Sequence, residues 1–295
     1  MILQEIWLAL EALDEFSLST IAAKTLAYWT TLVAAGSALN LLWLHETAPQ
    51  VIPLLRWFGL ICAVLALLLN FSLIPLQASY LMGEWYAFQD PMMLQVAWES
   101  PLGDSLLLRG IGLLLLLFII RPSTLTRGIS VLGCGLIALS FAFQGHSLSE
   151  PRWLLVSLIT LHLLGLSFWI GGFAPLAKLA KLQESVTGAA AQQFGKISVW
   201  NVLLLALAGS ALLWFLTEGN WNVLWTAYGQ LFVLKLLGFL GLLGLAALNK
   251  LALTPALLRN DPKAYGRLRL SISIEMFFAL LILVITATLT TVGIE

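Results

Sequence analysis

Residues 231–248 read LFVLKLLGFLGLLGLAAL and carry a single charged side chain, Lys235, among eighteen residues. A run of this length approaches the ~20 apolar residues that a helix needs to cross a bilayer. Similar runs occupy 106–120 and 202–216. Only helices and closed barrels satisfy their backbone hydrogen bonds in lipid, and unbroken apolar runs without alternation are typical of helices. These stretches predict an all-α integral membrane protein that lies in a lipid bilayer.

The composition of the whole chain supports the same class. Among 295 residues, 60% are apolar and 10% are charged, whereas soluble domains carry about 25% charged residues. The formal net charge is zero, which gives no reason to expect nucleic acid as a partner. The sequence contains no nucleotide-binding loop and no hydrolase motif, so ATP-driven transport and enzymatic activity are not expected.

Prolines and polar turns divide the chain into eight predicted transmembrane helices. Residues 1–21 contain four acidic side chains and no Lys or Arg, so the start of the chain does not resemble a secretory signal. An amphipathic periplasmic segment is predicted there, over about 3–16. The predicted spans are roughly 22–44, 54–75, 104–120, 128–144, 153–174, 197–217, 229–249 and 271–292.

Basic residues set the predicted orientation. When the first span runs from outside to inside, the inner loops receive 11 of the 15 Lys and Arg residues. Lys24, Arg109 and Lys235 fall near outer helix ends, where long cationic side chains are expected to snorkel, with Lys235 the best placed to have a buried partner. The positive-inside rule then places both termini in the periplasm of a multi-pass protein of the cell inner membrane.

A short internal match suggests a duplication. The third span begins with Gly103, and a cationic residue, Arg109, follows six positions later. The seventh span begins in the same way, with Gly229 and, six positions later, Lys235. The hypothesis is two parallel four-helix repeats, with halves at 22–144 and 145–295, and transporters commonly place a site between such repeats. Chance similarity is the alternative for one match of seven residues.

Two histidines are candidate metal ligands. His146 lies at the outer end of the fourth span and His162 lies about ten residues into the fifth, near mid-membrane. Ionisable residues at that depth are usually functional, and a neutral imidazole is a common ligand for transition metals. The alternative is structural: His162 bonds a hydroxyl such as Ser157 or Thr160, and His146 is an interfacial loop residue. His45, at an inner helix end, is interpreted as interfacial.

Three methionines lie in the outer loop between the second and third spans. Met82, Met92 and Met93 stand among aromatic residues there, and thioether sulfur suits Cu(I). A copper-receiving cluster is one interpretation, and interfacial packing within an aromatic belt is the other.

Glu275 lies inside the last span. A carboxylate in that position usually faces the bundle interior, so Glu275 is a candidate for the inner ligand or exit of a cation path. Pairing with Arg269 or Lys250, which would fix helix packing, is the alternative.

These motifs together resemble the copper resistance protein D family (CopD/PcoD type). The resemblance is carried by Gly145-His146, by His162 followed at Trp169 and Gly171-Gly172, and by Tyr228-Gly229-Gln230 leading to Lys235. Asn249-Lys250, Pro255 and Glu275 continue it. It covers roughly residues 130–292, and the first half agrees mainly in hydropathy and in the stretch from Gly103 to Arg109.

The resemblance implies a copper transport and homeostasis protein of the inner membrane that moves copper from periplasm toward cytoplasm. His146 and His162 are the implied copper ligands, with Trp169, Lys235 and Glu275 as further motif positions. The implied partner is a small periplasmic copper-binding protein of the CopC type. Family members often carry a histidine in the first span, whereas this chain reads KTLAY at 24–28, which leaves the number of metal sites open.

Two other functions remain open from the sequence. Histidines on adjacent helices also ligate haem iron, which would make the chain a membrane redox protein, although such cytochromes usually carry more histidines. The third possibility is a copper-sensing or assembly subunit that transports nothing. The sequence does not give the oligomeric state.

Overall fold

The computed structural model of the protein describes residues 13–121, 123–144, 152–217 and 221–292. Within these ranges the chain is helical and contains no strand. The α-helices are, in order, α1 Glu15–Thr47, α2 Ile52–Phe71, α3 Leu73–Met82, α4 Pro91–Glu99, α5 Pro101–Leu116, α6 Thr124–Ser140, α7 Arg152–Leu182, α8 Thr187–Thr217, α9 Ala227–Leu248, α10 Thr254–Leu258 and α11 Pro262–Val292.

Seven helical stretches of the described chain are long and apolar enough to cross a membrane. They coincide with the second to eighth predicted spans, so the all-helical membrane class is confirmed. The first predicted span, 22–44, lies inside α1, which is not among the seven, and the count of eight is therefore not confirmed. The stretches are Pro49–Met82, Pro101–Ile119, Thr124–Phe143, Arg152–Leu182, Thr187–Phe215, Ala227–Leu258 and Pro262–Thr291.

The predicted N-terminal segment lies only partly within the described residues. Residues 1–12 lie outside them, and α1 begins at Glu15. Asp14 caps this helix by accepting a hydrogen bond from the backbone N–H of Ser17 at 2.7 Å. Hydrogen bonds from Ser17 hold the pKa of the Asp14 carboxyl below its usual value. Residues 15–21 are therefore the first turns of the long helix α1.

Helix α1 is polar because other helices surround it. Of its 33 residues, 18 are buried, and it packs against α2, α3, α5, α6, α7 and α11. Some of its hydroxyl groups bond their own helix, as Thr25 does to the carbonyl of Ile21 at 2.7 Å and Thr30 to that of Leu26 at 2.8 Å. The hydroxyls of Thr20 and Ser37 are buried without a hydrogen-bond partner among the described residues. Shielding by neighbouring helices keeps these polar side chains out of lipid.

Helices α1 and α7 cross in direct backbone contact. At the crossing, a Cβ added to Gly36 would overlap the carbonyl oxygen of Ser167, and one added to Gly171 would overlap the backbone of Gly36. Asn40 closes the contact, because its Nδ2 donates to the carbonyls of Gly36 at 2.8 Å and Phe168 at 2.9 Å. Glycine is required here for close approach, as at many membrane helix crossings.

Helices α1 and α7 have corresponding neighbours. Helix α1 packs against α2, α6 and α11 as well as α7, and α7 packs against α8, α11 and α6 as well as α1. A rotation that exchanged α1 with α7, α2 with α8 and α6 with α11 would reproduce these contacts. The helix starts also correspond, since Ser100 caps α5 and Thr226 caps α9. The duplication stays a prediction, which this arrangement fits.

The two ends of the bundle differ in charge. The end at which α1 finishes and α2 begins carries Arg56, Arg121, Arg127 and the basic residues between α9 and α11, and it is called the basic end below. At the opposite end, Lys24 donates to the carbonyl oxygen of Thr290 at 2.8 Å and to the hydroxyl of Thr291 at 3.0 Å. Lys24 thus satisfies groups in the last turn of α11 and joins the first described helix to the last.

Substitution at the α1–α7 crossing is expected to destabilise the fold. In Gly36→Ala, the new methyl group must push two backbones apart, and overpacking of this kind costs about 1–3 kcal/mol. We expect a lower midpoint of thermal unfolding in detergent. Gly244→Ala is the matched control, because a Cβ on Gly244 meets open space. Equal midpoints for the two variants would contradict the crossing.

Candidate functional site

Glu275 lies at the junction of three helical segments. Its side chain is 3% exposed. Trp169 of α7 donates its indole N–H to Glu275 Oε2 at 3.2 Å, and Asn249 donates its amide to Oε1 at 2.5 Å. Ser271, one turn earlier on α11, reaches Oε1 at 3.4 Å. Neither Arg269 nor Lys250 forms an ion pair with Glu275, so within the described chain the carboxylate is held by neutral donors.

A π-helical turn brings Asn249 to this carboxylate. Residues Asn249–Leu253 form a π-helix at the end of α9. Pro255 has no N–H to continue the α-helical ladder, and the N–H and hydroxyl of Thr254 both bond the Asn249 carbonyl instead, the hydroxyl at 2.8 Å. The extra residue in the π-helical turn changes the direction in which the neighbouring side chains point. Such π-helical turns often occur at functional positions. Asn249 Oδ1 is buried and has no hydrogen-bond partner among the described residues.

His162 lies in the middle of α7 with one ring nitrogen unsatisfied. Its Nδ1 is buried and has no hydrogen-bond partner within the described residues. Neither hydroxyl named in the structural alternative bonds this nitrogen: Ser157 donates to the carbonyl of Trp153 at 2.8 Å, and Thr160 donates to that of Val156 at 2.7 Å. The imidazole therefore keeps a nitrogen available to a ligand.

Lys235 of α9 is close enough to His162 for the two side chains to interact electrostatically. Lys235 is only partly exposed. Of the motif positions, Trp169 and Glu275 are joined by a hydrogen bond, whereas Lys235 lies within electrostatic range of His162.

His146 lies outside the described residues, so the structure does not place it beside His162. Among the described residues, no group of three or more His, Cys, Asp or Glu side chains is arranged to hold a metal ion. Within the part of the chain that can be described, His162 thus offers one ring nitrogen without a partner, and its role as a metal ligand stays a prediction.

The three methionines do not share one environment. Met82, at the end of α3, is 43% exposed, and Met92, in the first turn of α4, is 72% exposed. Met93 instead packs against the apolar cluster formed by α1, α3, α4 and α5. The loop that carries them is largely helical, with a 3₁₀ turn at Trp85–Gln89 followed by α4. A copper-receiving role for these sulfurs stays a prediction.

The prediction that Arg109 snorkels from a helix end is wrong. It is 1% exposed, and its guanidinium donates to Asn70 Oδ1 at 2.7 Å, Ser105 Oγ at 2.9 Å and Ser140 Oγ at 3.0 Å. It also stacks on Phe141, 3.7 Å from the ring centroid. Five donors in a fixed fork suit several acceptors at once, so Arg109 joins α2, α5 and α6.

These features define a multi-helix membrane protein whose described residues include buried polar groups and a histidine nitrogen, that of His162, without a hydrogen-bond partner inside the bundle. Residues 13–154 match the family model for the copper resistance protein D-like N-terminal domain, and residues 188–289 match that for copper resistance protein D. The chain belongs to the copper resistance protein D family. Searches of curated proteins and of solved structures gave no significant match.

The family assignment predicted from the motifs is therefore confirmed. The first half matches as well, although its resemblance was visible mainly as hydropathy. His162 and Trp169 lie between the two matched stretches. Sequence reasoning missed the network around Arg109, because nothing in the local sequence shows that Asn70 and Ser140 lie beside it.

The Glu275 network is tested by removing one donor. In Trp169→Phe, Glu275 Oε2 loses its donor, and a buried acceptor left without a partner costs about 1–3 kcal/mol. We expect a lower midpoint of thermal unfolding in detergent. Trp200→Phe is the matched control, because Trp200 is 74% exposed. Equal losses in both variants would show that the hydrogen bond contributes nothing.

The Arg109 network is tested by keeping its charge. In Arg109→Lys, one ammonium cannot reach all three acceptors and loses the stacking on Phe141, so we expect a loss of about 1–3 kcal/mol in unfolding free energy. Denaturation of the purified protein measures it. Arg267→Lys, at an exposed position, is expected to unfold like the wild type. An Arg109→Lys variant as stable as the wild type would show that the hydrogen bonds of the guanidinium group do not stabilise the fold.

Proposed function

We propose that the protein moves copper across the inner membrane, from periplasm toward cytoplasm, and that His162 is a ligand on the way. Family membership supports a role in copper resistance. The single observation that carries the proposed ligand is the buried His162 Nδ1 without a partner. An imidazole nitrogen is a common ligand for copper, and a buried one left unsatisfied needs a reason.

The proposed orientation rests on the charges of the two ends. The basic end would face the cytoplasm, as the positive-inside rule expects. Helix α1 would be an eighth span, because 33 residues reach ~50 Å at 1.5 Å per residue, more than the bilayer core requires. Its lower hydropathy is compatible with this, since its polar side chains face other helices. Both termini would then lie in the periplasm.

Copper would pass His162 in competition with Lys235. An ammonium group and a copper ion repel each other, and the repulsion is strong where water is scarce. A charged Lys235 side chain near His162 would therefore raise the electrostatic cost of placing a copper ion at that position inside the membrane.

Helix α7 offers a path from His162 to Glu275. Trp169 lies seven residues after His162, which is about two turns and ~10.5 Å along the axis on nearly the same face. The buried carboxyl group of Glu275, hydrogen-bonded to Trp169, then lies beside this face. We propose that Glu275 is the inner binding site of the copper path and that copper is released toward the basic end.

On the periplasmic side, His146 and the exposed sulfurs of Met82 and Met92 would receive copper, which suits soft ligands. The proposed donor is a small copper-binding protein of the CopC type. His146 would complete the two-histidine ligand set with His162.

The proposal is tested by copper accumulation and by metal content. We expect His162→Ala to lower copper uptake into proteoliposomes at least tenfold, because the proposed copper site inside the membrane loses its ligand. Leu161→Ala is the matched control on the same helix, since Leu161 is 45% exposed and is placed toward lipid. Purified His146→Ala/His162→Ala should bind less copper than the wild type. Unchanged copper stoichiometry in this double variant would refute the two-histidine ligand set, and unchanged uptake in His162→Ala would refute the path.

A further inference from the structure

Four basic side chains line one pocket at the basic end. They are His45 of α1, Arg56 of α2, Arg121 in the turn after α5, and Arg127 of α6. The pocket is small and open, with a cavity volume of about 30 Å³, and its wall is completed by apolar side chains of α1 and α2, by Ile119, and by Thr126 and Ser130 of α6. The positive-inside rule explains why basic residues occur at this end, but not why they converge on one concave surface.

Among the described residues, the arginines of this pocket have no acidic partner. The one acidic side chain that comes close to the pocket is Glu46, whose Oε1 lies 3.6 Å from His45 Nε2 and whose side chain is 83% exposed. Arg56 Nε is buried and has no hydrogen-bond partner among the described residues. A buried donor without an acceptor costs free energy. A bound anion would supply the missing acceptor.

His45 positions one of the arginines. Its Nδ1 lies 3.2 Å from the carbonyl oxygen of Leu41, and its Nε2 lies 3.4 Å from Arg127 Nη1. A neutral imidazole protonated at Nδ1 fits both contacts, because it donates to the carbonyl and accepts from the guanidinium. The pocket thus holds the Arg127 guanidinium at its rim without neutralising it.

The start of α6 adds to the positive potential. Ser123 and Thr126 form a capping box that begins this helix, and Thr126 also lines the pocket. A helix N-terminus carries a partial positive charge. The field of this end of α6 therefore has the same sign as that of the three arginines.

We propose that this pocket binds a phosphate group, carried either by an anionic lipid headgroup or by a soluble phosphate compound. The guanidinium fork matches two phosphate oxygens, and several arginines around one concave surface are the arrangement that such groups need. The pocket opens where lipid headgroups lie if the basic end faces the cytoplasm, and basic pockets between membrane helices bind acidic headgroups. This site is separate from His162 and does not depend on copper transport.

The test uses the full-length protein and an Arg121→Gln/Arg127→Gln variant, because both side chains are exposed and their replacement leaves the core intact. Arg259→Gln/Arg267→Gln is the matched control, with two exposed arginines removed from the same end. Each protein is placed in nanodiscs of phosphatidylcholine with or without phosphatidylglycerol, and bound lipid is measured by native mass spectrometry after release. Thermal unfolding in detergent with added inorganic phosphate or pyrophosphate is measured in parallel.

We expect the Arg121→Gln/Arg127→Gln variant to bind the anion about tenfold or more weakly than the wild type and the control variant, since charge-assisted hydrogen bonds are lost. Selective retention of phosphatidylglycerol would identify the lipid as the source. Stabilisation by inorganic phosphate or pyrophosphate without lipid selectivity would identify a soluble source. Equal anion binding by wild type, variant and control would overturn the proposal, as would no anion binding by any of the three.

Discussion

The contact between α1 and α7 is the constraint on which the bundle depends. Membrane helices gain little by hiding apolar surface from lipid, so association relies on close packing and internal hydrogen bonds. Gly36 and Gly171 allow the two backbones to touch, and Asn40 bonds the carbonyl of Phe168 across the crossing. The same contact fixes the depth and rotation of α7, which carries both His162 and Trp169.

Buried polar groups in this protein fall into two kinds. Each nitrogen of the Arg109 guanidinium donates to an acceptor on α2, α5 or α6, and the group stacks on the Phe141 ring. Such a network specifies how the helices pack. His162 Nδ1, Asn249 Oδ1 and Arg56 Nε instead have no partner among the described residues. Satisfied networks stabilise the fold, whereas unsatisfied groups inside a bundle are where a ligand gains most by binding.

Much of the architecture was readable from the sequence because lipid imposes a simple rule on composition. Seven spans appeared as apolar runs, since helices facing lipid must be apolar along their length. The first predicted span, 22–44, lies in α1, which is not among the seven stretches; α1 carries more polar side chains because neighbouring helices bury much of it. The motif positions were visible as well, but their pairing was not. Trp169 and Glu275 are 106 residues apart, and the bond depends on how α7 packs against α11.

The sequence by itself determined the helical membrane class, the position of seven spans and the copper resistance protein D family, because hydropathy and short motifs are local properties of the chain. The tertiary structure decided that Glu275 is held by Trp169 and Asn249 rather than by Arg269 or Lys250. It also decided that Arg109 is buried and that three arginines and His45 share one pocket. These are properties of helix packing, since a side chain's partners depend on which face of each helix meets its neighbour.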